Sequence, residues 1–294
     1  MNDVIIIGKG PAGISAALYT IRANLKTLVI GLNDSALHKA GMIENYYGFP
    51  QPVSGKQLLE NGEKQISRFG AEILNEEVIG IEKEDVFVVK TVKGEYRALT
   101  VLIAAGQKTA DVKIKNLNKF EGRGVGYCTT CDGFFYRGKT VGVLGYKDFA
   151  LHEANELIPF TNNITIFTNG QNPEFSAESS GLAGKFELNG KPISAFEGED
   201  YLERIVFQDG SVYPLDGIFI AYGSASTINF AMKMGILTKD RAIVVNENQE
   251  TNIEGLFAAG DCTGVFKQIS VAVGQGAVAG RRMIEYVRAK KESF

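Results

Sequence analysis

Residues 3–24 read DVIIIGKGPAGISAALYTIRAN, and this stretch decides the fold. Asp3 to Ile7 is an apolar run with the length of a buried strand. Gly8-Lys9-Gly10-Pro11-Ala12-Gly13 is a GxGxxG turn, Ile14 to Asn24 has helical spacing, and Lys26 to Gly31 is a second short strand. Strand, glycine turn, helix and strand make a dinucleotide-binding βαβ start. One glycine forms the tight turn, one lets the backbone approach a pyrophosphate, and one lets the helix pack on the strand. The phosphate then rests on free N–H groups at the positive end of the helix dipole. A ribose-binding acid is expected about 20 residues further on. Gly31 occupies that place, and Asp34 nearby reads as an exposed loop aspartate.

A similar pattern returns as VGVLGYKDFALHEA at 141–154, with a following strand at 163–168. Between the two units, 78–103 holds short β-like runs with a turn at Gly94. Residues 107–125 are polar and basic and are expected to form a linker. Hairpin-like strands flank Asp209-Gly210, Leu256-Phe257-Ala258-Ala259-Gly260-Asp261 is a strand running into a turn, and 269–290 has helical spacing. The expected fold is α/β: two Rossmann-like, three-layer ββα domains, the second inserted in the first. The outer domain is expected over 1–109 and 240–294, and the central domain over 110–239.

The bulk numbers agree with two soluble domains: 294 residues, 45% hydrophobic and 22% charged. A formal net charge of −3 points to neither nucleic acid nor membrane. No apolar run approaches the ~18 residues of a membrane span. Residues 3–8 follow with no basic leader before them, so a cytoplasmic location is expected.

There are three cysteines, two of them in Cys128-Thr129-Thr130-Cys131. A CxxC in such a chain is a redox dithiol or a metal site. Two scattered histidines, His38 and His152, do not complete four zinc ligands, so the dithiol is preferred. Asp132 follows the pair directly. It is suited either to moving the proton of a leaving thiolate or to complementing a helix start. Cys262 reads as a small buried residue.

CxxC followed by Asp-Gly-Phe-Phe-Tyr, between two nucleotide-binding units and with a late Ala-Gly-Asp, resembles the low-molecular-weight thioredoxin reductases over essentially the whole chain. The resemblance implies FAD in the outer domain, with Gly8, Gly10 and Gly13, and Pro11 and Ala12 between them, under its pyrophosphate. It implies that Asn45 lies near the flavin and that Asp261 contacts the ribityl or phosphate region. Lys267, Gln268 and Ile269 would close over the ring. Val78, Gly106 and Gly260 are counted with the same site. Tyr46 and Tyr47 either stack on flavin or fill core. In such enzymes the central domain binds NADPH and carries the CxxC. Cys131 would face the flavin and Cys128 would attack the thioredoxin disulfide, which implies a domain rotation or a partner-induced opening. A homodimer is expected on the same ground.

The chain departs from that family at its second nucleotide turn. The family's fingerprint there is GxGxxA. Gly145 and Ala150 survive, but Lys147 replaces the middle glycine, and its side chain would take the space a pyrophosphate needs. The family's arginine cluster for the 2′-phosphate is replaced by Phe167-Thr168-Asn169-Gly170-Gln171-Asn172. Residues 138–203 hold no arginine, four lysines and ten carboxylates, the wrong sign for a polyphosphate. No NAD(P)H is therefore expected. These departures resemble the ferredoxin-dependent flavin thioredoxin reductases, and reduced ferredoxin is the expected donor. Residues 97–139 carry eight basic residues (Arg97, Lys108, Lys113, Lys115, Lys119, Arg123, Arg137, Lys139) against Asp111, Glu121 and Asp132. This segment reads equally as a docking face for an acidic partner and as a solvated linker face. The alternatives are an NADPH enzyme with a divergent turn, a diflavin disulfide oxidoreductase, and a non-enzymatic flavin redox sensor.

Overall fold

The structure is a computed structural model, and it describes residues 1–107, 112–225, 227–264 and 266–292. Lys108 and Asp111 of the basic segment lie outside the described residues. The chain divides into two compact units, Met1–Lys108 with Ser226–Phe294, and Thr109–Ala225.

The first unit opens with β1 (Asn2–Ile7), α1 (Pro11–Arg22), β2 (Thr27–Ile30), α2 (Ala36–Lys39), β3 (Met42–Ile43), β4 (Val53–Ser54), α3 (Gly55–Arg68) and β5 (Glu72–Leu74). An antiparallel run follows: β6 (Val78–Lys83), β7 (Phe87–Thr91) and β8 (Glu95–Ile103). Pro11 starts α1, where its missing N–H costs no hydrogen bond, and Asn24 turns the chain after it at φ 59°. The sheet runs β5-β2-β1-β8-β7-β6. Central β1 pairs in parallel with β2 and β8, which explains its unbroken apolar run: both faces are covered.

The second unit contains β9 (Val125–Gly126), α4 (Thr129–Asp132), β10 (Val141–Leu144), α5 (Asp148–Leu157), β11 (Ile164–Phe167), α6 (Ser180–Ala183) and β12 (Glu187–Asn189). It continues through β13 (Ile193–Glu197), β14 (Arg204–Phe207), β15 (Val212–Pro214) and β16 (Gly217–Ile220). A parallel sheet, β12-β11-β10-β16-β9, packs on the antiparallel β13-β14-β15. Phe167, Phe196, Phe207 and Ile218 fill the space between the two sheets.

The chain then returns to the first unit with α7 (Thr227–Met234), β17 (Thr238–Lys239), β18 (Ala242–Ile243), β19 (Leu256–Ala258) and α8 (Ile269–Glu292). β19 joins the large sheet beside β8, and α8 packs along α1 through Ala272, Ala279 and Met283. The described residues contain no helix long and apolar enough to cross a membrane.

Two expectations are corrected. Residues 227–239 belong with the first unit rather than the central one. Phe230, Ala231 and Ile236 are buried there, and the Thr227 hydroxyl donates to the Gly106 carbonyl at 2.8 Å. The stretch from 112 to 125 is part of the second unit's core rather than a linker. Ile114, Leu117 and Phe120, three residues apart among lysines, all point inward.

Candidate redox and cofactor site

At the carboxyl ends of β1, β8 and β19 three turns lie side by side. The Ala104 N–H donates to the Ile7 carbonyl at 2.7 Å, and the Ala259 N–H to the Ile103 carbonyl at 3.1 Å. A crevice at this edge of a parallel sheet is where nucleotides bind in such folds. The three fingerprint glycines do different work. A Cβ on Gly8 would lie 2.2 Å from the Ala104 carbonyl oxygen, and one on Gly13 would lie 2.0 Å from that of Gly8. Both close the packing of turn, strand and helix. A Cβ on Gly10 would meet nothing within 4 Å. Gly10 precedes α1 with no side-chain cap, and the first turn of α1 has no acid, so its N–H groups suit an anion.

Other expected cofactor residues gather in the same unit. Gly260, at φ 86°, faces the Ala12 methyl, and its N–H donates to Gln275 Oε1 at 2.8 Å. Asp261 follows it and is half-buried. The Asn45 amide donates to Gln268 Oε1 at 3.0 Å. Pro11, Tyr46 and Ile269 line one cavity, and Tyr46 stacks on Phe49 while Tyr47 is exposed. Lys267 is exposed. Val78 is buried at the start of β6, paired with Thr91, and belongs to the strand's packing. Cys262 is buried, its thiol pushed up to about 12 by burial, and it donates to backbone carbonyls of Ala259 and Ile103. It is a structural residue.

In the second unit Cys128 and Cys131 form a disulfide. Cys128 precedes the single turn of α4, and its sulfur accepts the Cys131 N–H at 3.1 Å. Cys128 is fully buried, and Cys131 is exposed. Asp132 is half-buried, and burial holds its carboxyl above the ordinary aspartate value. Tyr136 is raised as well, first by burial and then by the charges of Asp132 and Asp216.

The turn after β10 is closed by the chain itself. Lys147 Nζ lies 2.9 Å from Glu174 Oε2 and over the Tyr146 ring. The Glu174 N–H donates to the Tyr146 carbonyl at 2.7 Å, and Lys147 and Glu174 form a parallel β-bridge. Asp148 Oδ1 accepts the Ser176 N–H at 2.9 Å. Residues 174–176 thus lie against the turn, and two carboxylates stand at the N-terminus of α5. Gly145 has a packing role, since a Cβ there would lie 2.6 Å from the Ala150 methyl. After β11, Asn169 Oδ1 accepts the Ile193 N–H, and the Thr168 hydroxyl donates to the Gln171 carbonyl, so short polar side chains fill the loop.

Comparison with known proteins gives the family. The family model described as pyridine nucleotide-disulphide oxidoreductase matches residues 2–276. The chain belongs to that family. A thioredoxin reductase of Aquifex aeolicus is 36% identical over 99% of this chain and 94% of its own length. The atypical thioredoxin reductase TRi of Desulfovibrio vulgaris Hildenborough is 39% identical, with a TM-score of 0.95 over 98% of this chain and 99% of that one. A ferredoxin-flavin thioredoxin reductase of Clostridium acetobutylicum is 31% identical, with a TM-score of 0.74 over 98% of both chains.

FAD is the flavin expected of a thioredoxin reductase in the pyridine nucleotide-disulphide oxidoreductase family. The open side of Gly10 and the uncapped α1 fit its pyrophosphate. One residue of that turn escaped sequence reasoning. Lys9 is buried, pairs with Glu63 Oε1 at 3.4 Å, and donates to Asn33 and Asn75. Its chain lies against Gly31, where the ribose-binding acid was expected. A lysine inside the fingerprint was the available signal. The basic segment does not form one group: Arg97 belongs to the first unit and pairs there with Glu84, while Lys113 to Lys139 belong to the second.

Proposed function

We propose that this protein reduces the disulfide of thioredoxin through Cys128 and Cys131, with electrons drawn from reduced ferredoxin rather than from NAD(P)H. The observation that carries the reading is the Lys147–Glu174 closure of the second nucleotide turn. A pyrophosphate needs free N–H groups and positive potential at that helix start. The turn instead has a lysine neutralised by its own partner, the carboxylate of Asp148, and a backbone strap. The arginine-free loop after β11 points the same way. Likeness to the ferredoxin-flavin enzyme supports it, and the relatives named simply thioredoxin reductase leave the donor open.

In this reading the first unit holds FAD at Gly8, Gly10, Gly13, Gly260 and Asp261, beside Asn45 and Gln268. When bound, FAD supplies the exchange between single electrons and an electron pair. Asp132 protonates the thiolate that leaves when the Cys128–Cys131 disulfide is opened. The resulting dithiol reduces thioredoxin by thiol–disulfide exchange, one sulfur attacking and the other resolving the mixed disulfide. Anaerobic titration of the yellow protein tests the donor: reduced ferredoxin should bleach the flavin band, and NADPH and NADH should leave it unchanged. Stoichiometric bleaching by NADPH would refute the reading.

A further inference from the structure

Beneath the dithiol turn lies a buried carboxylate that the proposed chemistry does not use. Glu153, on α5, is 1% exposed, and its Oε2 accepts the Thr129 hydroxyl at 2.8 Å. Thr129 is itself fully buried and directly follows Cys128. One turn further along α5, Glu156 Oε2 accepts the Thr130 hydroxyl at 3.4 Å. Both residues between the cysteines are therefore held by acids of one helix. A glutamine in place of Glu153 would accept the same hydroxyl, so what the acid adds is its capacity to carry charge.

We infer that Glu153 is a positioning residue that fixes the CxxC turn through Thr129 and, by its charge, keeps the dithiol strongly reducing. This rests on the reading of Cys128 and Cys131 as the redox pair. A carboxylate close to a thiol opposes thiolate formation and raises the thiol pKa. A thiolate that is less stable makes the reduced form less stable. The couple, disulfide plus two electrons and two protons to dithiol, then moves toward donating electrons. The other groups around the turn are Asp132 on α4, Tyr136 and Arg137 after it, and His152 and Glu156 on α5, with His152 4.0 Å from Glu156. Asp132, whose carboxyl burial holds above the ordinary value, is the proton donor of the proposed chemistry, and Glu156 is more exposed than Glu153.

The test is the pH profile of iodoacetamide labelling at Cys131 in the reduced holoenzyme, read by peptide mass, together with the dithiol–disulfide equilibrium against glutathione. Glu153→Gln keeps an acceptor for Thr129 and removes the charge. It should lower the Cys131 labelling pKa by about one unit and favour the dithiol against glutathione. Thr129→Ser, which keeps the hydroxyl, should match the wild type. A Glu153→Gln profile that superimposes on the wild type overturns the inference. If that variant does not fold, Glu153→Asp, which shortens the side chain and keeps the charge, should leave the labelling profile close to the wild type, and a fall of about one unit there would assign the effect to side-chain length rather than charge and overturn the idea. Failure of the wild-type protein to turn over with reduced ferredoxin, alongside the expected labelling shift in Glu153→Gln, would count against the proposed donor and leave the dithiol role standing.

Discussion

Lys147 and Glu174 meet twice, through an ion pair of 2.9 Å and through a backbone bridge. The two contacts differ in what a mutation removes. The side chains are partly exposed, so the ion pair alone contributes less than about 1 kcal/mol. The bridge and the Glu174 N–H to Tyr146 carbonyl bond need no particular side chain. Glu174→Ala is therefore expected to shift the urea midpoint only slightly and to leave the protein unreactive with NADPH. Restoring the middle glycine with Lys147→Gly should likewise fail, because Asp148 and the strap remain. Anaerobic flavin spectra of both variants with excess NADPH check this, and flavin reduction in either would show that the pair alone holds the turn shut.

Gly10 and Gly13 separate cofactor binding from folding. Gly10 has an ordinary φ of −81° and open space where a Cβ would stand. Gly10→Ala should fold with near-native thermal stability as apoprotein and lose FAD, because the methyl stands where the pyrophosphate must approach. Gly13→Ala drives a methyl against the Gly8 carbonyl and should cost about 1–3 kcal/mol or more. Flavin content after desalting and apoprotein melting curves give both readouts. A Gly10→Ala protein that retains full FAD would place the pyrophosphate elsewhere.

Burial holds Asp132 above its ordinary value, so it keeps its proton to higher pH. As the acid that protonates a leaving thiolate, it works below its raised pKa and fails above it. Thioredoxin reduction should therefore fall as pH rises through that pKa. Asp132→Asn should remove this limb and lower turnover by about 10²-fold. Steady-state rates across pH decide it, and an identical limb in the variant would assign the titration to another group.

The parts of this molecule legible in its sequence are those whose physics is local. The GxGxxG turn with its flanking apolar strands lies within about thirty residues, and the CxxC-Asp run and the missing middle glycine at Lys147 each lie within a dozen. What was missed depends on contacts far apart in the chain. Ile114, Leu117 and Phe120 read as a linker because lysines surround them, and only the sheets they meet make them core. Lys9 stands inside the fingerprint, and its part in the turn shows only once Glu63 and Asn75 are brought to it. The strap over Lys147 comes from residue 174, beyond a helix and a strand. The domain boundary was set too late because α7 has no motif, only a buried face against the first unit.

The two sulfurs differ in access, and this makes the last prediction. Cys131 is exposed, while Cys128 lies fully buried beside Thr129. The attack of Cys128 on thioredoxin, implied by the resemblance, therefore requires the turn or its cover to open first. In the reduced protein iodoacetamide should label Cys131 about tenfold or more faster than Cys128, the difference reporting that opening equilibrium. Adding a thioredoxin that lacks its resolving cysteine should trap a mixed disulfide at Cys128, because the partner pays part of the opening cost on binding. Peptide mapping of the trapped complex identifies the sulfur. A mixed disulfide found only at Cys131 would reverse the roles of the pair and remove the need for any opening at Cys128.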